Sequence, residues 1–521
     1  MAGALKKEIN SLGLLFTSLS CMIGSGWLLS SIVAAKIAGP AAILSWFIGG
    51  ILIGFIAISF SELSTAFPVA GGIARYGQFS HGSGVSFIIS WLAWLSCVAV
   101  APTEAQAMLQ YASRFFEGLT YKSGGTILLT HFGIVCAIII VFILSWINIQ
   151  GIKTMIKYNN ILTIWKISVP LLVLILLSFG RFEVKNFTSQ SFMPYGIEGV
   201  LSALSTTVIF SYLGFRECTS LAAEVKNPQK AIPIACIGSV AYCMVFYMFM
   251  QSVFIGAITD DMLTAGWSNL SFDFDAGPFA GLAIALGMHW LATLIYIDSV
   301  IAPSGAGLVY TATTSRLLLA MSENGFLPKF FADLNKMGVP KNAVVVNAVV
   351  GITLLAPFED WVALVKFQSV AIVLAYAVGP VALLSLRKII PNHPRPFKLP
   401  AANLFSHITL FICMMLVYWS GWDTVYALII SVIIGLGIYL LKLGTKELKH
   451  SAWLAPLLLV IGIVSYLGNY GGIGVLSPLQ DTLIILGASS ISLVFGVKSR
   501  LSESLSHFYL NDTSQQYYDA I

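Results

Sequence analysis

Four ionisable residues lie deep inside long apolar stretches of this 521-residue chain. They are Glu104 in "APTEAQ", Lys166 in "NNILTIWKISVPLL", Arg216 in "FSYLGFRE" and Asp298 in "YIDSVIAPSGAG". A charge in hydrocarbon costs several kcal/mol unless it is paired or hydrated, so such residues are functional or neutralise one another. Glu104 and Asp298 are therefore candidates to carry a proton, or to neutralise Lys166 or Arg216. For Lys166 the alternative is a side chain that reaches the membrane surface.

The glycines of "IGSGW", residues 23–27, interrupt the first apolar stretch. A helix broken here exposes the N–H groups of its second half, which we expect to begin near Trp27. Gly24 and Gly26 give the unwound backbone room, and Ser25 adds a hydroxyl group. Together with Ile23 they form a predicted carboxylate site. The alternative is that the glycines let a neighbouring helix pack closely.

A second interruption is predicted at "FSYLGFRE", residues 210–217. The first half of this helix is expected to end near Phe210, and its free carbonyl groups suit an ammonium ion. Ser211, Leu213 and Gly214 belong to the same stretch, and Phe210 is either a lid over a bound molecule or a packing residue. A carboxylate site beside an ammonium site describes an α-amino acid.

Arg216 adds a fixed positive charge to the second interruption. If it faces the pocket, it favours a substrate with an acidic side chain. If it faces away, it pairs with Glu217, Glu62 or Asp298 and is structural. The sequence leaves both alternatives open.

The elements that must position these residues are membrane helices. Of all residues, 57% are hydrophobic and 10% are charged, whereas a soluble domain has roughly 25% charged residues. Apolar stretches of about 18 or more residues recur along the chain, which predicts an all-α integral membrane protein with 12–14 transmembrane helices, fourteen being preferred. Numbered in chain order, the predicted spans are 12–37, 41–66, 85–112, 128–149, 159–180, 198–223, 233–257, 285–317, 342–358, 363–386, 403–421, 423–441, 452–470 and 481–497.

The basic residues predict the orientation of these spans. With the N-terminus inside, the inner segments hold twenty Lys and Arg residues and the outer loops hold four. The positive-inside rule then places both termini in the cytoplasm, in a protein of the plasma (inner) membrane. The predicted organisation is an N-terminal segment 1–11, a core 12–390, additional C-terminal helices within 403–497 and a polar cytoplasmic tail 498–521. The net charge of +5 is explained in this way without a nucleic-acid partner.

Four motifs resemble those of the amino acid–polyamine–organocation permeases. They are "IGSGW", "ELSTAFPVAGGIARYG" at 62–77, "FSYLGF...AAEVKNPQKAIPIA" at 210–235 and "SRLLLAMSENGFLPKFFADLNKMGVPKNAV" at 315–344. The resemblance covers about 12–390 and implies the leucine-transporter-like fold, two inverted repeats of five helices with discontinuous helices 1 and 6. It also implies secondary transport of an amino acid held between those helices. The length and the extra C-terminal spans are similar to the aspartate/glutamate transporter branch.

In proton-coupled members of that family, a lysine in a similar "NN...K" setting occupies the space of a sodium ion. With Lys166 in this setting, the resemblance implies proton coupling, or at least independence of sodium. Many members carry an acidic residue where this chain has Arg216, and this departure puts the transfer of coupling roles to that position in doubt.

The expected function is proton-coupled symport of aspartate or glutamate by alternating access, with the bilayer as surroundings. The alternative is a neutral or cationic amino acid (or polyamine) permease or exchanger. The sequence contains neither "HExxH" nor "GxSxG", which argues against a membrane-embedded enzyme. A channel is a similarly distant alternative, and neither a cofactor nor a metal site is expected.

Overall fold

A computed structural model describes residues 7–123, 126–270, 277–355, 360–445 and 448–518. Nearly all regular structure in these residues is helical, with two short strands. The elements, in chain order, are α1 Ser11–Met22, α2 Ser25–Ala38, α3 Ala42–Ala66, α4 Ile73–His81, α5 Ser83–Val98, α6 Val100–Ala112, β1 Thr120–Ser123, β2 Thr126–Leu129, α7 His131–Ile149, α8 Ile152–Gly180, α9 Gly196–Ala203, α10 Ile209–Tyr212, α11 Glu217–Ser220, α12 Pro228–Ala257, α13 Asp260–Leu263, α14 Pro278–Ala285, α15 His289–Glu323, α16 Lys341–Thr353, α17 Trp361–Tyr376, α18 Val378–Ile389, α19 Ala402–Tyr418, α20 Trp422–Leu443, α21 Leu454–Leu467, α22 Pro478–Lys498 and α23 Glu503–Tyr518.

Eleven helical stretches of the described chain are long and apolar enough to cross a membrane, with Ser25–Ala66 counted as one stretch. Three shorter apolar helices, α1, α16 and α19, complete the set. A 3-10 turn at Gly39–Ala41 separates α2 from α3. The helices therefore follow the order and positions of the fourteen predicted spans. The predicted all-α membrane fold is confirmed, whereas the inverted repeat, the division into domains and the orientation stay predictions.

Two details differ from the predicted layout. Strands β1 and β2 pair antiparallel, so the connection between spans 3 and 4 is a short hairpin. The predicted span at 285–317 is the helix α15, which begins only at His289 and follows the separate helix α14. The chain turns between them at Gly287, whose φ of 73° suits a residue without a side chain. The predicted end of span 9, at 358, lies outside the described residues.

The C-terminal segment forms a helix that docks on α4. The Leu501 N–H donates to the Ser80 carbonyl over 2.9 Å, and the Ser506 hydroxyl donates to the Phe79 carbonyl over 2.8 Å. These carbonyls lie in the last turn of α4, where carbonyl groups have no N–H donor within the helix. The start of the expected polar tail thus satisfies carbonyl groups that α4 leaves open, and the tail is helical over Glu503–Tyr518. Residues 1–6 and 519–521 lie outside the described chain.

The centre of the molecule lies around α1, α2, α15 and α17. The apolar window of Trp361–Ile389 is wholly buried, whereas only 28% of the window of α20 is buried. Helix α17 is therefore a central element, and α20 lies at the periphery, where its apolar side chains face the membrane. Helix α1 packs against α8, α12 and α15. This arrangement brings both predicted interruptions into the interior.

Candidate functional site

The interruption of span 1 is present as predicted. Helix α1 ends at Met22 and α2 begins at Ser25, with Ile23 (φ −89°, ψ 73°) and Gly24 (φ −111°, ψ −140°) outside helical geometry. The second half starts at Ser25 rather than near Trp27, so Ser25 and Gly26 belong to the first helical turn. Their N–H groups lie in the part of the helix that carries its positive dipole end.

In span 6, the predicted end of the first half-helix near Phe210 is wrong. The chain stays helical from Gly196 to Arg216 but changes type, from α to a π turn at Leu204–Val208, back to α, and then to a 3-10 turn at Leu213–Arg216. Phe210 lies inside helix α10. The helix widens at the π turn and tightens at the 3-10 turn instead of unwinding, and such changes of helix type interrupt the regular pairing of backbone groups.

The two irregular regions touch each other. A Cβ added at Gly214 would lie 2.6 Å from both the Met22 backbone N and the Cys21 carbonyl carbon, and one added at Gly26 would lie 2.5 Å from the Ser211 hydroxyl. The Tyr247 hydroxyl donates to the Met22 carbonyl over 2.6 Å and lies 3.4 Å from the Ser211 carbonyl. The glycines therefore allow a close approach between spans 1 and 6, as the alternative interpretation of the first interruption proposed. Tyr247 was missed by the sequence analysis, although a hydroxyl in the apolar span 7 was a signal for it.

Glu104 occupies the N-terminus of α2. The Ser25 N–H donates to Glu104 Oε2 over 2.8 Å, and a Cβ at Gly24 would lie 2.7 Å from Glu104 Oε1. Glu104 is 1% exposed. A carboxylate is the group that a helix N-terminus binds best. The predicted carboxylate site thus holds a carboxylate of the protein itself.

Lys166 lies at the other side of the same interruption. Its ammonium group donates to the Ser20 carbonyl and lies 3.2 Å from the Ser20 hydroxyl. Ser20 belongs to the last turn of α1, whose negative dipole end favours a cation. A Cβ at Gly305 would lie 3.0 Å from Lys166 Nζ, so α15 closes over the lysine. Lys166 is fully buried, which excludes the alternative of a side chain that reaches the membrane surface.

Asp298 is held by two tryptophans. Trp27 Nε1 donates to Oδ2 and Trp165 Nε1 donates to Oδ1, each over 2.9 Å. Trp165 precedes Lys166 in the chain, and both Asp298 and Glu104 interact electrostatically with the Lys166 ammonium. The structure therefore gathers the three predicted coupling residues around the first interruption.

Arg216 is paired within the protein. Its Nη2 atom donates to Glu217 Oε1 and, over 2.8 Å, to Cys97 Sγ, and Nη1 lies 3.4 Å from the Ser220 hydroxyl. Arg216 Nε and Glu217 Oε2 are buried and have no hydrogen-bond partner among the described residues. This is the Glu217 pairing of the structural alternative, and a direct contact between Arg216 and a substrate stays a prediction.

Phe210 packs edge-on against Trp361, with ring centroids 5.8 Å apart. Trp361 Nε1 also donates to the Ser25 hydroxyl over 3.0 Å. Phe210 is 9% exposed. The two aromatic rings thus cover the start of α2 from one side, as a lid would. Trp361 was missed because it lies at the first residue of a helix more than 300 positions away from Ser25 in the sequence.

The remaining predicted site residues line the same junction. Leu213 is buried, and its carbonyl accepts from the Tyr376 hydroxyl over 3.3 Å. Ser211 lies 3.3 Å from the Ser30 hydroxyl. Among the described residues, no group of three or more His, Cys, Asp or Glu side chains is arranged to hold a metal ion. The site can therefore bind ions through helix ends, one ammonium group and two carboxylates.

Comparison with known proteins gives consistent matches over nearly the whole chain. The family model described as amino acid permease matches residues 9–439. The glutamate/serine transporter AimA of Bacillus subtilis (strain 168) is 37% identical over 512 residues, which cover 95% of this chain and 94% of the relative. The aspartate-proton symporter of the same organism is 34% identical over 508 residues, 95% and 97% of the two chains. The branched-chain amino acid permease BcaP of the same organism is 28% identical over 464 residues, which cover 86% of this chain and 94% of the relative.

Proposed function

Because this chain belongs to the amino acid permease family, we propose that it carries an acidic amino acid across the membrane together with a proton. The family and the relatives are transporters, so the protein is a multi-pass membrane transporter and not an enzyme. The substrate proposed is glutamate or aspartate, the mechanism is alternating access, and the location is the plasma membrane with both termini in the cytoplasm.

The observation that carries this proposal is the pair of opposite charges at the first interruption. Glu104 sits on the Ser25 N–H at the start of α2, and Lys166 sits on the Ser20 carbonyl at the end of α1. An amino acid offers the same two groups, a carboxylate and an ammonium. Its carboxylate fits the N-terminus of α2 once Glu104 leaves it, and its ammonium fits the carbonyl groups around Met22 and Ser211.

This geometry links the substrate to a proton. A protonated carboxyl accepts a hydrogen bond less strongly than a carboxylate does. Protonation of Glu104 therefore weakens its bond to the Ser25 N–H and frees that group for the substrate carboxylate. Proton and substrate then bind together, which is the requirement for symport, and Lys166 and Asp298 keep the charge of the site balanced.

The membrane potential gives a reason for the proton. A glutamate or aspartate enters with a net charge of −1, and an inside-negative potential opposes it by about 2.3 kcal/mol per 100 mV. One co-transported proton cancels that charge. The acidic substrate is favoured over the neutral or cationic alternative by two relatives named for glutamate/serine and aspartate transport, which cover this chain almost completely.

A competition panel tests the substrate class. The measurement is inhibition of labelled glutamate uptake by unlabelled aspartate, glutamate, asparagine, alanine and arginine in cells that express the protein. We expect aspartate and glutamate to compete at the lowest concentrations. Stronger competition by alanine or arginine would overturn the acidic preference and support the general amino acid permease.

A further inference from the structure

A polar cavity opens on the face of the molecule that lies opposite the chain termini. Its volume is about 320 Å³, and it lies between the first turns of span 6, helix α17, the α19–α20 turn and the segment after α21. Span 6 begins here at Glu198, while the chain following it reaches Glu224, whose carbonyl accepts from the Ile9 N–H near the N-terminus. With cytoplasmic termini, the cavity faces the outside of the cell.

Three charged side chains that line this cavity have no hydrogen-bond or ion-pair partner among the residues that the structure describes. They are Glu198, Lys366 and Asp423. Lys366 is partly buried in the first half of α17, while Glu198 and Asp423 are exposed. A lysine inside a membrane span is unfavourable unless it is paired or hydrated, and the cavity supplies the space for water or a ligand at Lys366. The cavity therefore offers one cationic and two anionic groups to a ligand.

The cavity and the candidate site share two elements, span 6 and helix α17. Glu198, Ser202, Thr206 and Phe210 follow one another at intervals of four residues along span 6. The first three line the cavity, and the fourth is the ring that packs on Trp361 over the start of α2. Trp361 and Lys366 belong to the same helix. Span 6 and α17 thus supply residues both to the cavity and to the aromatic pair above the start of α2.

We propose that this cavity is an outer binding site for the zwitterionic head group of an α-amino acid. Lys366 takes the α-carboxylate, and Glu198 or Asp423 takes the ammonium group. The substrate binds there before Phe210 and Trp361 separate and admit it to the interior. This inference rests on the proposed function, because it assumes an amino acid as cargo. Since all contacts are made to the head group, the outer site does not select among side chains.

The test is the concentration dependence of amino acid uptake by intact cells, compared among the parent, Lys366→Gln, Lys366→Arg and the control Lys36→Gln. Lys36 is also partly exposed and lies inside a membrane helix. We expect Lys366→Gln to raise KM about tenfold or more for every transported amino acid, from the loss of a charge-assisted hydrogen bond, with little change in the maximal rate. Lys366→Arg should keep the parental KM, and Lys36→Gln should too.

A second variant, which removes the two acids, tests the same site and does not depend on whether Lys366→Gln folds. Because Glu198 and Asp423 are exposed, Glu198→Gln/Asp423→Asn should fold and should also raise KM. A parental KM in both Lys366→Gln and the double variant would overturn the outer site, as would an equal shift in Lys36→Gln. If the parent takes up no amino acid at all, the proposed function itself fails, so the two failures are distinguishable.

Discussion

At the scale of single residues, the four buried charges that the sequence analysis identified fall into two groups. Glu104, Lys166 and Asp298 are held by uncharged groups, which are a backbone N–H, a serine and two indole N–H groups. Arg216 is held by the opposite charge of Glu217. A proton added to Glu104 or Asp298 breaks no direct ion pair, whereas one added to Glu217 does. The first group is therefore suited to changing its charge during transport.

Replacing Arg216 distinguishes its two possible roles. Arg216→Gln leaves the Glu217 carboxylate buried without its cation, and breaking such a pair costs about 3–5 kcal/mol. We expect a clear drop in the thermal unfolding temperature of the purified variant, partly recovered in Arg216→Gln/Glu217→Gln. Substrate preference should stay acidic. An unchanged unfolding temperature together with a loss of acidic preference would show instead that Arg216 contacts the substrate.

Replacing Lys166 tests the coupling site. Lys166→Met keeps the volume of the side chain but removes the charge that faces Glu104 and Asp298. We expect the stimulation of uptake by a pH gradient to be lost, a coupling of about 5- to 150-fold if it is typical in size. Lys36→Met is the matched control and should keep the stimulation. Persistent stimulation in Lys166→Met would exclude the lysine from coupling.

At the scale of elements, the site depends on two irregular helices that approach closely. Gly214 is the point of contact, since a Cβ there would lie 2.6 Å from backbone atoms of Cys21 and Met22. Backbone cannot rotate out of the way as a side chain can, so one of the two regions must shift.

Gly214→Ala should therefore separate the two regions and lower uptake, with a loss of stability of about 1–3 kcal/mol from overpacking. Gly54→Ala, in span 2, is the control, because nothing lies within 4 Å of the added methyl group. The control should be as stable as the parent or slightly more so, since alanine favours helices. The measurements are the unfolding temperature and the rate of uptake, and parental values in Gly214→Ala would contradict the close contact.

The sequence predicted the spans and the first interruption well, but not the form of span 6 or the contacts between distant residues. Span positions follow from hydrophobicity, and the break at Gly24 follows from glycine in an apolar run. Span 6 lacks such a local signal beyond Gly214, and its π and 3-10 turns lie where it packs against span 1. The bond between Glu104 and Ser25 joins residues 79 positions apart, and that between Trp361 and Ser25 joins residues 336 apart. Such contacts depend on tertiary packing, which periodicity does not encode.

At the scale of the whole molecule, α4 connects α22 to the end of α15. Arg75 of α4 bonds to Glu323 and Asn324, while His81 of the same helix lies 2.8 Å from the Gly496 carbonyl. A carbonyl only accepts, so His81 Nε2 carries the hydrogen. Burial of the ring in the folded protein lowers the pKa of His81 to about 4.

This shift predicts how stability depends on pH. The unfolded chain binds a proton at His81 near pH 6.5, its ordinary value, whereas the folded chain does so only near 4. The contribution is therefore intact above 6.5 and is lost as the pH falls towards 4. The unfolding temperature of the parent should fall over this range more steeply than that of His81→Gln. Parallel curves for the two proteins would contradict a neutral, buried His81.

The central claim is that a proton gradient drives the uptake of an acidic amino acid. The direct measurement uses liposomes that contain the purified protein, have an interior more alkaline than the exterior, and are free of sodium. The account predicts that labelled glutamate or aspartate accumulates inside above its external concentration and that a protonophore abolishes the accumulation. Accumulation that requires a sodium gradient, or that is indifferent to the pH gradient, would contradict it.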